Sequence, residues 1–264
     1  MRSHSFPRVR HLLTVFFLLL AGQLVVGVLL IGALWATGEG AAAESVQDWS
    51  MPLVYLFGSL PAVAYARWRA GRPSVSFDPG AIPKRMLLGC TLAFIVFGFG
   101  VGCLGGYLPT ADLIPAAGSS LSTGVGTFLT LALLAPLVEE YLFRGILLER
   151  MLRLRSPRTS ILLTSLTFGL SHLVPAHVVT ATLMGVALGY LYYRTRSFAL
   201  VVILHAVNNT LAYAAGTFLE ETEMMGELSL PLGVAVGMFA IGLGALSLYR
   251  MVPRRTGVAT VRAD

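Results

Sequence analysis

The sequence predicts an all-α membrane protein, a polytopic bundle of about eight transmembrane helices with both termini in the cytoplasm. Three observations carry that prediction. The 264-residue chain is 56% hydrophobic and only 12% charged, against roughly 25% charged residues in an ordinary soluble domain, and its mean hydropathy is +0.76. Apolar runs long enough to cross a bilayer recur along the chain. The charged residues between those runs alternate in sign from one loop to the next.

Taken in order, residues 12–34 form the first apolar run, after Arg2, Arg8 and Arg10. A basic start, an apolar stretch and the small residues Ala41 to Ala43 also fit a cleaved signal peptide. The run exceeds the roughly 7 to 15 residues of a signal-peptide core, so a retained helix is the reading. Residues 51–66 form a second, less regular span that carries Pro52 and Pro61. Residues 86–108 form the third, and its glycines Gly98, Gly100, Gly102, Gly105 and Gly106 fit close helix packing better than a phosphate-binding loop. Cys90 and Cys103 lie on this same helix, about 20 Å apart along its axis, and cannot form a disulfide with each other. Residues 121–148 are longer than one crossing and carry Glu139 and Glu140. Residues 161–174, 178–193, 198–215 and 228–249 complete the set.

The charge pattern tests that count. Eight crossings put Arg2, Arg8, Arg10, Arg67, Arg69, Arg72, Lys84, Arg85, Arg150, Arg153, Arg155, Arg158, Arg194, Arg196, Arg250, Arg254, Arg255 and Arg262 on one side. The opposite loops carry Glu39, Glu44, Asp48, Asp112, Glu220, Glu221, Glu223 and Glu227 and no Lys or Arg. Basic residues collect on the cytoplasmic side of membrane proteins, so the net charge of +6 reports orientation and calls for no nucleic-acid partner. The lipid bilayer is the expected surrounding, and the charge bias with abundant Gly, Ala and Val suits a bacterial inner (plasma) membrane. The chain divides into residues 1–120 with helices one to three, 121–215 with helices four to seven, and 216–264 with helix eight and a basic tail.

Carboxylates at bilayer depth are costly and mark function. Counting at 1.5 Å per residue from the cytoplasmic loops, Glu139 and Glu140 lie about 17 and 15 Å deep, His172 about 21 Å, and His205 and Asn209 about 14 and 20 Å. The five side chains thus share a band near the membrane centre. His205 and Asn209, four residues apart, share a helix face. Glu139 and Glu140 point about 100° apart and need different partners. Arg144 follows Glu140 by one turn and can pair with it. His177, beside Pro175, reads as a loop surface residue, and Asn208 as a packing residue. Carboxylates and imidazoles together can activate a water, and an Asn amide can donate to a developing oxyanion. The same His and Glu types can instead hold zinc. Both chemistries stay open on the residues alone.

The motifs EExxxR (Glu139, Glu140, Arg144), FxxxH (Phe168, His172) and HxxxN (His205, Asn209), in that order on separate predicted helices, resemble the CPBP family. That family includes the type II CAAX prenyl proteases and bacteriocin-processing or self-immunity proteins. The resemblance covers residues 121–215, which would then be a CPBP-like catalytic core. It implies an intramembrane endopeptidase acting on a membrane-associated protein or peptide. In the family's glutamate-type mechanism the residue matching Glu139, helped by the one matching His172, activates water, and those matching His205 and Asn209 stabilise the oxyanion. Glu140 would orient a histidine or pair with Arg144. The family was long described as metal-dependent, so a divalent metal such as zinc on His172, His205 and Glu139 stands as the alternative. Two other classes compete: a catalytically idle relative serving as a membrane scaffold or bacteriocin immunity factor, and a proton-coupled transporter. Carriers often show related halves, and neither a half-repeat nor a second glutamate pair is visible here.

Overall fold

The computed structural model describes residues 6–36, 44–71, 75–108, 124–218 and 229–252. Among these every regular element is helical, without a strand, as the composition predicts. The helices are α1 (Val9–Ala36), α2 (Glu44–Ala70), α3 (Lys84–Gly105, after a single 3-10 turn at Pro79–Ala81), α4 (a continuous rod over residues 125–151), α5 (Pro157–Leu170), α6 (Pro175–Thr195), α7 (Phe198–Phe218) and α8 (Leu230–Met251). Arg2, Glu39, Ala41 to Ala43, Arg72, Asp112, Glu220, Glu221, Glu223, Glu227, Arg254, Arg255 and Arg262 lie outside the described residues.

Among the described residues α1, α3, α6, α7 and α8 are long and apolar enough to cross a membrane. The other three depart from that form for local reasons. Helix α2 has Pro52 and Pro61 within it and Arg67 and Arg69 in its last turn. Helix α4 changes its winding twice, as described below. Helix α5 has 14 residues and ends at Leu170, about 21 Å from its start and short of the roughly 30 Å hydrocarbon core. The expected span 161–174 therefore stops early, and His172 lies in the turn that follows it. Non-helical backbone at such depth is tolerated where protein or a cavity surrounds it. His177, expected in a loop, is instead an exposed residue on the first turn of α6.

Glycines set the helix separations. A Cβ on Gly100 of α3 would stand 2.6 Å from the Gly237 carbonyl oxygen of α8, and one on Gly244 would stand 2.7 Å from Phe97 Cβ. A Cβ on Gly22 of α1 would collide with the Gly58 carbonyl of α2. In a bilayer, where apolar surface alone does not drive helices together, such close backbone approach supplies packing. One core cluster gathers Phe94, Phe97, Leu188, Leu191, Leu200 and Leu204 from α3, α6 and α7. The other gathers Val15, Ala62, Ala66, Phe143, Leu147 and Met151 from α1, α2 and α4. Helix α4 runs between them, and every residue from Leu142 to Leu148 is buried. The site it carries draws partners from α2, α5, α6 and α7.

Polar contacts pin the helix ends. Arg150 at the end of α4 donates to the Ala70 carbonyl at the end of α2. Arg194 donates to the Val252 carbonyl just past α8 at 2.8 Å, and Arg196 pairs with Glu149. Arg69 meets His11 at 3.2 Å. These are ends that the charge pattern assigns to one side, and the fold brings them together. Near the start of α2, Asp48 accepts from the backbone N–H groups of Gly126 and Thr127 at 2.8 and 2.7 Å. A carboxylate there satisfies donors that a helix start leaves without partners. Cys90 and Cys103 are free and buried.

The α1–α2 contact fixes how α2 lies against the bundle. Gly22→Ala forces those helices apart and should lower stability by about 1–3 kcal/mol, read as a fall in thermal midpoint in lipid nanodiscs. Gly27→Ala, with nothing within 4 Å of its Cβ position, should not lower it.

Candidate active site

Helix α4 positions the glutamates through its changes of winding. Thr130–Leu134 and Tyr141–Leu148 are π-helical, with the six-residue α-helical segment Ala135–Glu140 between them. The Ala135 N–H reaches Thr130 O, and the Glu149 N–H reaches Arg144 O, each five residues back. Such wide turns concentrate at functional sites. Pro136 adds to the first: lacking an N–H, it cannot serve the Leu131 carbonyl five residues before it. Asn209 Nδ2 donates to that carbonyl at 3.0 Å instead.

Glu140 has no exposed surface. Its Oε1 accepts from Arg144 Nη1 at 2.6 Å and from His205 Nδ1 at 2.8 Å. Arg144, itself buried, also donates from Nη2 to the Gly185 carbonyl at 3.0 Å and lies 5.1 Å over the Phe168 ring. Both roles weighed for Glu140, pairing with Arg144 and contacting a histidine, are therefore geometrically filled at once. A buried carboxylate is tolerated only when charge and hydrogen bonds compensate it, and breaking such a pair is strongly destabilising.

His205 stands between the two glutamates. With a carboxylate on Nδ1 that nitrogen carries the proton, and Nε2 faces Glu139 Oε2 at 3.6 Å. Glu139 differs from its neighbour in access: its side chain is 18% exposed against 0% for Glu140. The other Glu139 oxygen, Oε1, accepts from the Tyr55 hydroxyl at 2.6 Å.

His172 sits two residues past the end of α5, with Nδ1 at 3.0 Å from the Phe168 carbonyl. A carbonyl acceptor puts the proton on Nδ1 and leaves Nε2 basic. The next residue, Leu173, adopts φ 62°, a left-handed backbone that non-glycine residues rarely take. Among the described residues His172 makes no hydrogen bond to either glutamate; it joins the cluster through Phe168. That ring meets His172 edge-on at 4.9 Å, His205 at 5.9 Å and Phe143 at 5.1 Å, and carries Arg144 on its face. Phe168 is the apolar hub on which both histidines turn.

The structure thus brings Glu139, Glu140, Arg144, Phe168 and His205 into direct contact, with His172 against Phe168. Asn209 follows His205 by one turn of α7. Asn208 is more than a packing residue: its amide donates to Asn209 Oδ1 at 3.3 Å. Sequence reasoning missed Tyr55 and the Leu131 carbonyl. Tyr55 precedes Arg67 by twelve residues, about 18 Å along α2, so the same depth count puts it level with Glu139. Pro136 is the signal for the freed Leu131 carbonyl.

The zinc alternative needs three ligands in one place. Among the described residues no group of three or more His, Cys, Asp or Glu side chains is arranged to hold a metal ion. Glu140 is committed to Arg144 and His205.

Residues 121–211 match the model of a family described as type II CAAX prenyl endopeptidase Rce1-like. The matched segment is about a third of the 264-residue chain. No curated protein and no solved structure matches it. The Rce1-like segment contains Leu131, Glu139, Glu140, Arg144, Phe168, His172, His205 and Asn209, whereas Tyr55 and Asp48 come from outside it. At family level the match supports a CAAX-type endopeptidase in an integral membrane protein, a class that acts on membrane-associated proteins.

The Glu140 ion pair makes a stability prediction. Arg144→Met leaves a buried carboxylate uncompensated and should cost about 3–5 kcal/mol. Adding Glu140→Leu should return part of the lost thermal midpoint, measured in nanodiscs.

Proposed function

We propose that this protein is an intramembrane endopeptidase in which Glu139 activates the attacking water. The observation that carries the reading is the inequality of the two carboxylates: Glu140 is sealed and pinned by Arg144 and His205, while Glu139 keeps exposed surface. Only the second can meet a water and a peptide bond. General bases of this kind need a defined orientation as well as access, and Glu139 has a partner on each oxygen.

In this mechanism a water held between Glu139 and the basic Nε2 of His172 loses a proton to Glu139 as its oxygen attacks the scissile carbonyl. The carbonyl π electrons move onto oxygen, forming the tetrahedral oxyanion. His205 in its doubly protonated form offers Nε2–H to that oxyanion, with Nδ1–H held by Glu140. Asn209 Nδ2 carries two hydrogens and uses one on Leu131, so the other is available as a second donor. Preorganised donors of this type stabilise charge as it develops. Collapse breaks the C–N bond, and the proton on Glu139 passes to the leaving amine. The substrate is a membrane-associated protein or peptide, presented to a site roughly midway through the bundle.

The test compares protein termini in the membrane and secreted fractions of cells carrying the wild type or Glu139→Ala, with equal protein abundance. A set of termini should vanish in the variant, identifying the cleaved bond. Identical termini from both, with candidate substrates expressed, would overturn the proposal and favour a scaffold or immunity role.

A further inference from the structure

We infer that Tyr55 is a positioning residue for Glu139, so that the working site is completed by a helix outside the Rce1-like segment. The inference rests on the reading of Glu139 as the base. The Tyr55 hydroxyl donates to Glu139 Oε1 at 2.6 Å across 84 residues of sequence, within the 2.5–2.7 Å range of strong O–H···O⁻ bonds. With Oε1 held, the carboxylate plane is fixed and Oε2 turns toward His205 Nε2 at 3.6 Å. A glutamate side chain left to itself would spread over several rotamers. Tyr55 thereby determines which oxygen is left to face His205 and where it points.

The scaffold around Tyr55 is built to hold that geometry. Seven residues before it, Asp48 grips the first turn of α4 through Gly126 and Thr127. Three residues after it, Gly58 packs against Gly22 and Gln23 of α1. Ser59 donates back to the Tyr55 carbonyl, and Pro52 and Pro61 flank the segment. Asp48 ties α2 to the same helix that carries Glu139, so the depth of the donor and the depth of its acceptor are set together. A tyrosine that merely satisfied its own hydroxyl in the bilayer would make the same bond, and the two cases separate in kinetics. A positioning role acts on the chemical step, because misplacing a base costs rate without weakening ground-state binding.

The experiment uses the full chain in cells and a pulse-labelled substrate whose new terminus depends on Glu139. Wild type, Tyr55→Phe, Glu139→Ala and the control Tyr65→Phe are followed at low and at tenfold higher substrate expression. Tyr65 lies on the same helix with its ring against Trp68 at 6.3 Å. Tyr55→Phe should slow cleavage by about 10- to 100-fold at both substrate levels, with abundance and thermal midpoint unchanged, and Tyr65→Phe should match wild type. A wild-type rate for Tyr55→Phe overturns the inference and leaves Glu139 as the base. So does a deficit that disappears at high substrate or follows a loss of thermal stability. If Glu139→Ala itself removes no terminus, the proposed function fails and the role of Tyr55 fails with it.

Discussion

Glu140, a carboxylate with no exposed surface in the middle of a helical bundle, must be compensated wherever it is placed, and the rest of the site is arranged around that compensation. Arg144 supplies the charge, and because it lies one turn along the same helix the pair forms as α4 forms. Arg144 in turn reaches Gly185 of α6 and the face of Phe168 of α5, and Glu140 reaches His205 of α7. One ion pair therefore ties four helices at one depth. The histidine held in this way has its second nitrogen directed at Glu139. The costly group is the anchor, and the proposed mechanism assigns the chemistry to its accessible neighbour.

The winding of α4 makes this arrangement compatible with a continuous helix. Two π-helical stretches bracket the glutamates, and Pro136 leaves Leu131 without a backbone donor, which Asn209 replaces. The adjacent polar positions on α7 are thus occupied in sequence: His205 on Glu140, Asn209 on Leu131, and Asn208 on Asn209. Helix α5, shorter than the bilayer, ends where its carbonyl at Phe168 can hold His172 at site depth. These departures in α4 and α5 from regular helix occur next to polar side chains of the candidate site.

Much of this was legible in the residues. Apolar run lengths located the eight helices, because the period and length of a membrane helix are imposed by the bilayer. The depth count grouped Glu139, Glu140, His172, His205 and Asn209 because rise per residue is nearly constant. It could not say that His172 would lie beyond its helix, since the early end of α5 is a matter of local turn geometry at Leu173. Nor could it choose the partner of each glutamate: adjacent positions diverge by about 100°, and which one faces inward depends on packing by α2, α6 and α7. Tyr55 was hidden for the same reason, an ordinary aromatic in an irregular span until α2 is docked. The residue types a zinc site needs are present, but among the described residues no three of them are grouped as ligands, and Glu140 is taken by Arg144 and His205.

The division of labour between the two glutamates is the centre of this account, and separate amide substitutions test it most directly. Purified Glu139→Gln and Glu140→Gln proteins in nanodiscs would be compared with wild type for thermal midpoint and for cleavage of the mapped substrate. Glu139→Gln should keep the wild-type midpoint and abolish cleavage, while Glu140→Gln should lower the midpoint because Arg144 loses its counter-charge. Cleavage surviving in Glu139→Gln, or an unchanged midpoint in Glu140→Gln, would contradict this division of labour.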